Sequence, residues 1–276
     1  MPEIGNLNKL RVVKEVDFGV YLDGQELGEI LLPRRYLPDK CKMDDSIEVF
    51  VYRDSEDRLI ATTEKPLAMV GDFALLRVAA VSRFGAFLDW GLEKDLLVPF
   101  REQKQKMQSG KSYVVHVYLD DRNERIVASS RVDRFLNKIP AEYDNGEEVD
   151  LLIYNQSGMG FNAIINNSHW GILYKNEVFQ PLKTGQKIKG FIKKLREDQK
   201  IDLSLQKPGY AAIDAVAEGI LKKLKEAGGF ISVTDKSDPE MIYQLLGISK
   251  KSYKKAIGAL YKKSLIRMEE SGISLH

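Results

Sequence analysis

The sequence predicts a mainly β protein: three small barrels in tandem, followed by a C-terminal α+β segment of three helices and a hairpin. Three observations point there. A pattern within residues 81–100 recurs earlier in the chain and again, in weaker form, later. The segments around each copy alternate apolar and polar residues, as half-buried strands do. After Lys207-Pro208-Gly209 the apolar period changes from two to about 3.6, the period of a helix.

Residues 81–100 read VSRFGAFLDWGLEKDLLVPF. Strong β-formers on both sides of Gly85 give two short strands joined by a loop at residues 90–95. On a regular strand Phe84 and Phe87 would face opposite ways. A bulge or a left-handed residue at Gly85 would bring both rings onto one face. Two rings side by side there are either core or a platform on which nucleobases stack.

The earlier copy is Val16-Asp17-Phe18-Gly19-Val20-Tyr21-Leu22-Asp23, a polar loop, then Gly28 to Pro33. Phe18 and Tyr21 take the places of Phe84 and Phe87, and Pro33 that of Pro99. The following segments also match. Residues 44–52 parallel 109–118, and each leads through an acidic turn, residues 54–58 or 120–125, into a further strand. The weaker copy runs through Ser157-Gly158-Met159-Gly160-Phe161, Gly171-Ile172-Leu173-Tyr174, residues 184–191 and residues 200–204. An internal repeat marks a structural unit, here of about 65 to 75 residues. Roughly five short strands and Gly-bearing turns in that length suit a Greek-key barrel of the OB kind. The boundaries expected are 1–65, 66–137, 138–207 and 208–276. In module one, residues 9–16 read as a first strand continuing to Leu22. In module two, residues 101–110 are polar and favour helix.

The C-terminal segment has its own punctuation. Ile213, Val216, Ala217, Ile220, Leu221 and Leu224 form one helical stripe that Gly228-Gly229 ends. Ser237-Asp238-Pro239-Glu240 supplies an acceptor cap and a first-turn proline for a helix carrying Met241, Ile242, Leu245 and Leu246, which stops at Gly247. Ser249 caps a third helix with apolar Tyr253, Ile257, Leu260 and Tyr261. Residues 265–268 and 273–275 read as a closing hairpin, completing a winged helix-turn-helix.

The chain has 276 residues, room for several domains, and a formal net charge of +2. A polyanion would therefore be held by local patches and not by overall charge. The single cysteine, Cys41, excludes an internal disulfide framework. With no charged-then-apolar leader and no long apolar run, the expectation is a soluble cytoplasmic protein without a membrane partner. Catalysis finds little support. His116 falls in an alternating strand, His169 in a loop and His276 at the end, none at metal-ligand spacing with another His or Cys. Gly247-Ile248-Ser249-Lys250-Lys251-Ser252 lacks the upstream glycine and strand of a phosphate-binding loop. No enzyme activity, metal or cofactor is expected.

Each barrel unit resembles the ribosomal-S1 RNA-binding domain, and Phe84-Gly85-Ala86-Phe87-Leu88-Asp89 is close to that family's strand signature. Three such units before a segment containing Asp238-Pro239-Glu240 and Gly247-Ile248-Ser249-Lys250-Lys251 resemble the bacterial conserved virulence factor B family along essentially the whole chain. The resemblance implies a non-catalytic regulator of gene expression that binds single-stranded RNA. It implies an RNA face formed by Phe18, Tyr21, Asp54 and Arg58 in module one and by Phe84, Phe87, Asp120 and Arg125 in module two. The histidine of the family pattern is replaced by Pro33 and Pro99, and in module three Met159 and Asn162 stand at the aromatic positions. Module three instead carries a basic last loop, Lys187, Lys189, Lys193, Lys194, Arg196 and Lys200, suited to phosphate contact. The third helix adds Lys250, Lys251, Lys254 and Lys255 with no acidic residue between Ser249 and Lys263. Its early lysines oppose the helix dipole, which favours an anionic partner. Two rivals stand beside this reading. The winged helix could bind duplex DNA as a transcription regulator, or the chain could be a protein-interaction scaffold without nucleic acid.

Overall fold

A computed structural model describes residues 1–178, 180–206 and 210–276, with side chains for all of these except 210–215. It divides into two compact units, Met1–Lys138 and Ile139–His276. The fold class expected from the sequence is the one found.

The first unit holds two barrels. Module one comprises β1 (Leu7–Val16), β2 (Gly19–Asp23), β3 (Glu29–Pro33), β4 (Ser46–Arg53) and β5 (Leu59–Thr62). Module two comprises β6 (Phe73–Val81), β7 (Gly85–Asp89), β8 (Leu96–Pro99), β9 (Ser112–Asp120) and β10 (Arg125–Ser129). Each closes in the order first, second, third, fifth, fourth strand, the third and fifth running parallel (Leu31 opposite Ile60, Leu97 opposite Val127). Closure leaves no unpaired sheet edge, which is how so short a set of strands satisfies its backbone.

The expected continuation of the first strand to Leu22 is corrected. The chain reverses at Asp17-Phe18, and β1 pairs with β2, Val16 opposite Gly19. Gly85 shows why glycine starts the second strand: a Cβ there would lie 2.2 Å from the Val98 carbonyl oxygen. Gly19 and Gly160 meet the same obstacle at Leu32 and Leu173. Gly85 has the positive φ expected of it (151°), while the bulge lies on the preceding strand, where the register shifts between Val78 and Ala80. Module one shifts between Val12 and Lys14, and module three between Ile153 and Asn155.

Residues 101–110 do not form the helix their composition favours. A 3-10 turn at Phe100–Glu102 is followed by irregular chain. The reason is that the Gln103 side chain serves the backbone itself, Nε2 donating to the Val98 carbonyl (3.1 Å) and Oε1 accepting from the Met107 amide (3.0 Å). Such side-chain bonds compete with the helical ladder. Glu102, also buried, accepts from the Arg134 guanidinium.

The two barrels share apolar contact. Phe50 and Tyr52 of β4 join the core of module two, and Phe50 meets Trp90 edge-on with ring centroids 5.6 Å apart. Small barrels bury limited cores, so this contact adds to the stability of both.

The second unit begins with module three: β11 (Glu148–Gln156), β12 (Gly160–Ile165), β13 (His169–Tyr174), β14 (Lys187–Leu195) and β15 (Ile201–Ser204), closed in the same order. The basic stretch expected as a loop is largely strand β14. Its Ile188 and Leu195 pack on the core and Ile192 is part of it, so the lysines occupy the remaining positions.

α1 (Tyr210–Glu226) buries Ala217, Ile220 and Leu224; Ile213 lies outside the residues whose side chains are described, as Lys207-Pro208-Gly209 lie outside the described residues. A short strand that periodicity did not reveal, β16 (Phe230–Ile231), follows. α2 (Pro239–Leu246) starts on Asp238, whose carboxylate accepts from the Glu240 amide (2.8 Å), and ends on Gly247 at φ 71°. α3 (Lys250–Lys262) starts on Ser249, which accepts from the Ser252 amide at 3.1 Å. β17 (Ile266–Met268) and β18 (Ile273–Leu275) form the wing, with β18 between β16 and β17. Met241, Leu245 and Tyr261, expected in the apolar stripes, are exposed. The core is filled by Ile242, Leu246, Tyr253, Ile257 and Leu260.

Candidate nucleic-acid interface

In modules one and two the first aromatic stands in the turn before the second strand, outside the alternation of that strand. The second lies on the strand, opposite the residue that follows the bulge. These cross-strand pairs are Lys14–Tyr21, Ala80–Phe87 and, in module three, Asn155–Asn162. The bulge therefore sets which side chain meets the second position, and the three modules fill that place differently. Lys14 puts its ammonium 5.5 Å from the Tyr21 ring centre. Ala80 offers Phe87 only a methyl group on the β6 side, while Leu97 of β8 stands opposite it on the other. Asn162 donates to Asn155 at 2.8 Å, which makes the pair a polar clasp.

Phe18 is 57% exposed and Phe84 60%, and neither ring belongs to a core cluster. Phe18 meets Tyr21 edge-on at 6.5 Å, and the Arg83 guanidinium lies 4.8 Å from the Phe84 ring centre. Exposed rings with cations beside them can take up a base and its phosphate together. In module three Met159 is exposed at the first position. Its rings gather on a neighbouring strand: Trp170 packs on Tyr154 at 5.1 Å, and Lys193 stands 6.0 Å from Tyr174.

Of the acidic and basic pairs, Asp54 and Arg58 bond each other, Nε to Oδ2 at 2.9 Å. Asp120 and Arg125 do not. Asp120 accepts from Arg101 at 3.3 Å, while Arg125 grips Asp57 of module one, Nε to Oδ1 at 2.8 Å. The turn of module one reaches Arg125 first, a contact that pattern matching within one repeat does not contain. The Arg125 guanidinium holds the Asp57 carboxyl below its usual range.

Phe84 and Phe87 line a cleft of about 340 Å³ between modules one and two. Tyr52, Trp90, Leu97 and Ile126 line it as well, with Arg53, Asp57, Lys94 and Arg125 as its charged groups. Lys94 crosses between modules, its ammonium donating to the carbonyls of Arg53 (2.9 Å) and Asp54 (2.8 Å). Burial pushes this ammonium's pKa down, and burial raises the Tyr52 hydroxyl to about 12. Tyr52, Arg53 and Lys94 were not among the residues singled out from the sequence. Lys94 occupies a polar loop and Arg53 ends a strand, so neither position carries a repeat signal.

Much of the positive charge expected to be free is paired. Lys189 bonds Asp150 at 2.8 Å, directly across β11 and β14, and Lys193 bonds Glu177. Arg196 and Lys200 share Asp198, at 3.3 and 3.1 Å. Among the described residues Lys187 and Lys194 have no ion pair. On α3, Lys254 meets Asp235 at 3.6 Å and Lys250 donates to the Lys236 carbonyl at 3.3 Å. The loop before α2 thus supplies the acid that the helix lacks. Lys251 and Lys255 are exposed. Among the described residues no three His, Cys, Asp or Glu side chains gather as a metal site. No described helix is long and apolar enough to cross a membrane.

Residues 4–64 and 70–131 match the S1 domain family, and residues 218–275 match the CvfB-like winged helix domain. The chain thus combines S1 domains with a CvfB-like winged helix domain. The chain is 26% identical over 270 residues to the uncharacterized protein YitL of Bacillus subtilis, covering 94% of the chain and 89% of the relative. It is 24% identical over 244 residues to conserved virulence factor B of Staphylococcus epidermidis, covering 86% and 82%. The same-named protein of Staphylococcus haemolyticus is 23% identical over 281 residues, covering 99% and 94%. A crystal structure of a Streptococcus pneumoniae multidomain protein with nucleic acid binding domains is 23% identical, covers 99% and 98%, and has a TM-score of 0.41. The third barrel lies between the matched ranges. The domain content is that of a nucleic-acid-binding protein.

Proposed function

We propose that this protein is a non-catalytic single-stranded RNA-binding protein, a post-transcriptional regulator of bacterial gene expression acting in the cytoplasm. The observation that carries the reading is the aromatic pair present in modules one and two at equivalent positions, with an exposed first ring, a half-buried second ring and a cation beside one of the two. Single strands offer unstacked bases to such rings, whereas a duplex hides them. In module three, Lys187 and Lys194 add charge without an aromatic platform, which suits phosphates. On the winged helix, Lys251 and Lys255 do the same. Between Ser249 and Lys263 there is no arginine, asparagine or glutamine to read base edges in a major groove. Support of RNA binding by α3 is therefore favoured over sequence-specific duplex reading.

The test titrates the full chain with single-stranded RNA and with duplex DNA over a range of salt. Single-stranded RNA should bind more tightly, and the affinity should fall as salt rises. Phe84→Ala with Phe87→Ala should weaken RNA binding by about 1–3 kcal/mol per base lost from its stack, at unchanged thermal stability. Tighter binding to a defined duplex, or loss of binding only together with loss of fold, would reject the reading.

A further inference from the structure

We propose that the cleft between modules one and two holds a single nucleotide of the bound strand, with its phosphate displacing Asp57 from Arg125. This rests on the reading of the protein as a single-strand RNA binder, and it adds a site that neither barrel possesses alone.

Two features of the cleft point to a ligand of that kind. Its floor and walls combine the Phe84 and Phe87 rings with the β4–β5 side of module one. Its volume, about 340 Å³, is at the low end for small-molecule sites, room for one nucleotide and not for a run of strand. The second feature is an unused donor. Arg53 spends one terminal nitrogen on the Asp57 carbonyl (2.8 Å) and the other on Glu124, but its Nε is buried with no hydrogen-bond partner. A buried donor left without an acceptor is costly. Arg53 lines the cleft, and a turn of its side chain on strand binding would bring this nitrogen to a base carbonyl or ring nitrogen there.

The Asp57–Arg125 pair fills the phosphate position of the cleft without RNA. Both side chains are about half exposed, and their bidentate contact spans the modules at the cleft. The Asp57 carboxylate occupies on Arg125 the position a phosphate would take, since both present paired oxygens to the guanidinium fork. Binding then exchanges one anion for another, and removing the internal anion should favour the strand.

Asp57→Asn tests this with the fold preserved, because residue 57 has φ 65° and asparagine tolerates that backbone. In titrations of the full chain with single-stranded RNA dodecamers, the variant should bind at least about threefold more tightly at low salt. Its log–log salt slope should steepen by about 0.7, one further phosphate for a single strand. Asp57→Asn with Arg125→Gln should lose the gain. Asp121→Asn, an exposed acid on the next turn, should produce less than half of it. Arg53→Lys keeps the charge but has no Nε, and should weaken binding by about threefold or more with the slope unchanged. An Asp57→Asn effect no larger than that of Asp121→Asn, or retained without Arg125, would overturn the proposal while wild-type RNA binding stands. So would unchanged affinity in Arg53→Lys. Failure of the wild type to bind single-stranded RNA at all would defeat the functional reading itself and this proposal with it. Nucleoside monophosphates should compete only at millimolar concentration; exclusion of the dodecamer by micromolar mononucleotide would overturn the strand as occupant.

Discussion

Replacing His116 should flatten the dependence of stability on pH between neutrality and about pH 4. The imidazole is 9% exposed, packed between Phe73 at 4.4 Å and Phe135 at 4.2 Å, and its Nδ1 has no hydrogen-bond partner. Burial lowers its pKa from 6.5 to about 4, against an opposing hydrogen bond and charge at Asp72. Because the folded value lies below the unfolded one, the unfolded chain binds the proton more readily throughout that window. Stability is therefore lost as pH falls from about 6.5 to about 4, and this residue takes no more below it. From pH 7 to pH 5 the loss at His116 is about 2 kcal/mol, taking 6.5 unfolded and about 4 folded. Urea unfolding of wild type, His116→Phe and His116→Gln at both pH values measures it. The variants should lose less stability than wild type on acidification by about that amount, which is on the order of 1 M in midpoint. Equal pH slopes in wild type and variants, or an NMR titration of His116 near 6.5, would refute the argument.

Further outcomes follow from the same contacts. Gly85→Ala drives a Cβ into the Val98 carbonyl and should cost more than about 2 kcal/mol in chemical denaturation; a smaller loss would mean that the hairpin relaxes. Lys94→Met removes two charged hydrogen bonds to module one and should lower stability by about 2 kcal/mol; separate unfolding of the two modules would appear in calorimetry as a broadened transition. Charge reversal at Lys187 and Lys194 should flatten the salt dependence of RNA binding more than reversal at Lys189 and Lys193, whose charges are matched by Asp150 and Glu177; equal effects would contradict the pairing.

The repeat, the barrel architecture and the winged helix were legible in the sequence because local patterns dictate them. Alternation at period two, Gly19 and Gly85 at the starts of strands, and the caps Asp238, Gly247 and Ser249 each act within a few residues. The pairs Phe18 with Tyr21 and Phe84 with Phe87 were also readable, since they repeat at fixed spacing. What tertiary structure decided is where charges find partners. Arg125 bonds Asp57 and not Asp120, Lys254 finds Asp235, and Lys193 finds Glu177, all across separations that no spacing rule covers. It also decided that residues 101–110 would not coil, because Gln103 has backbone partners only once β8 is in place beside it. Local propensity acts through neighbours along the chain and can be read there. Ion pairing and the cleft between two barrels depend on which surfaces meet, and packing alone settles that.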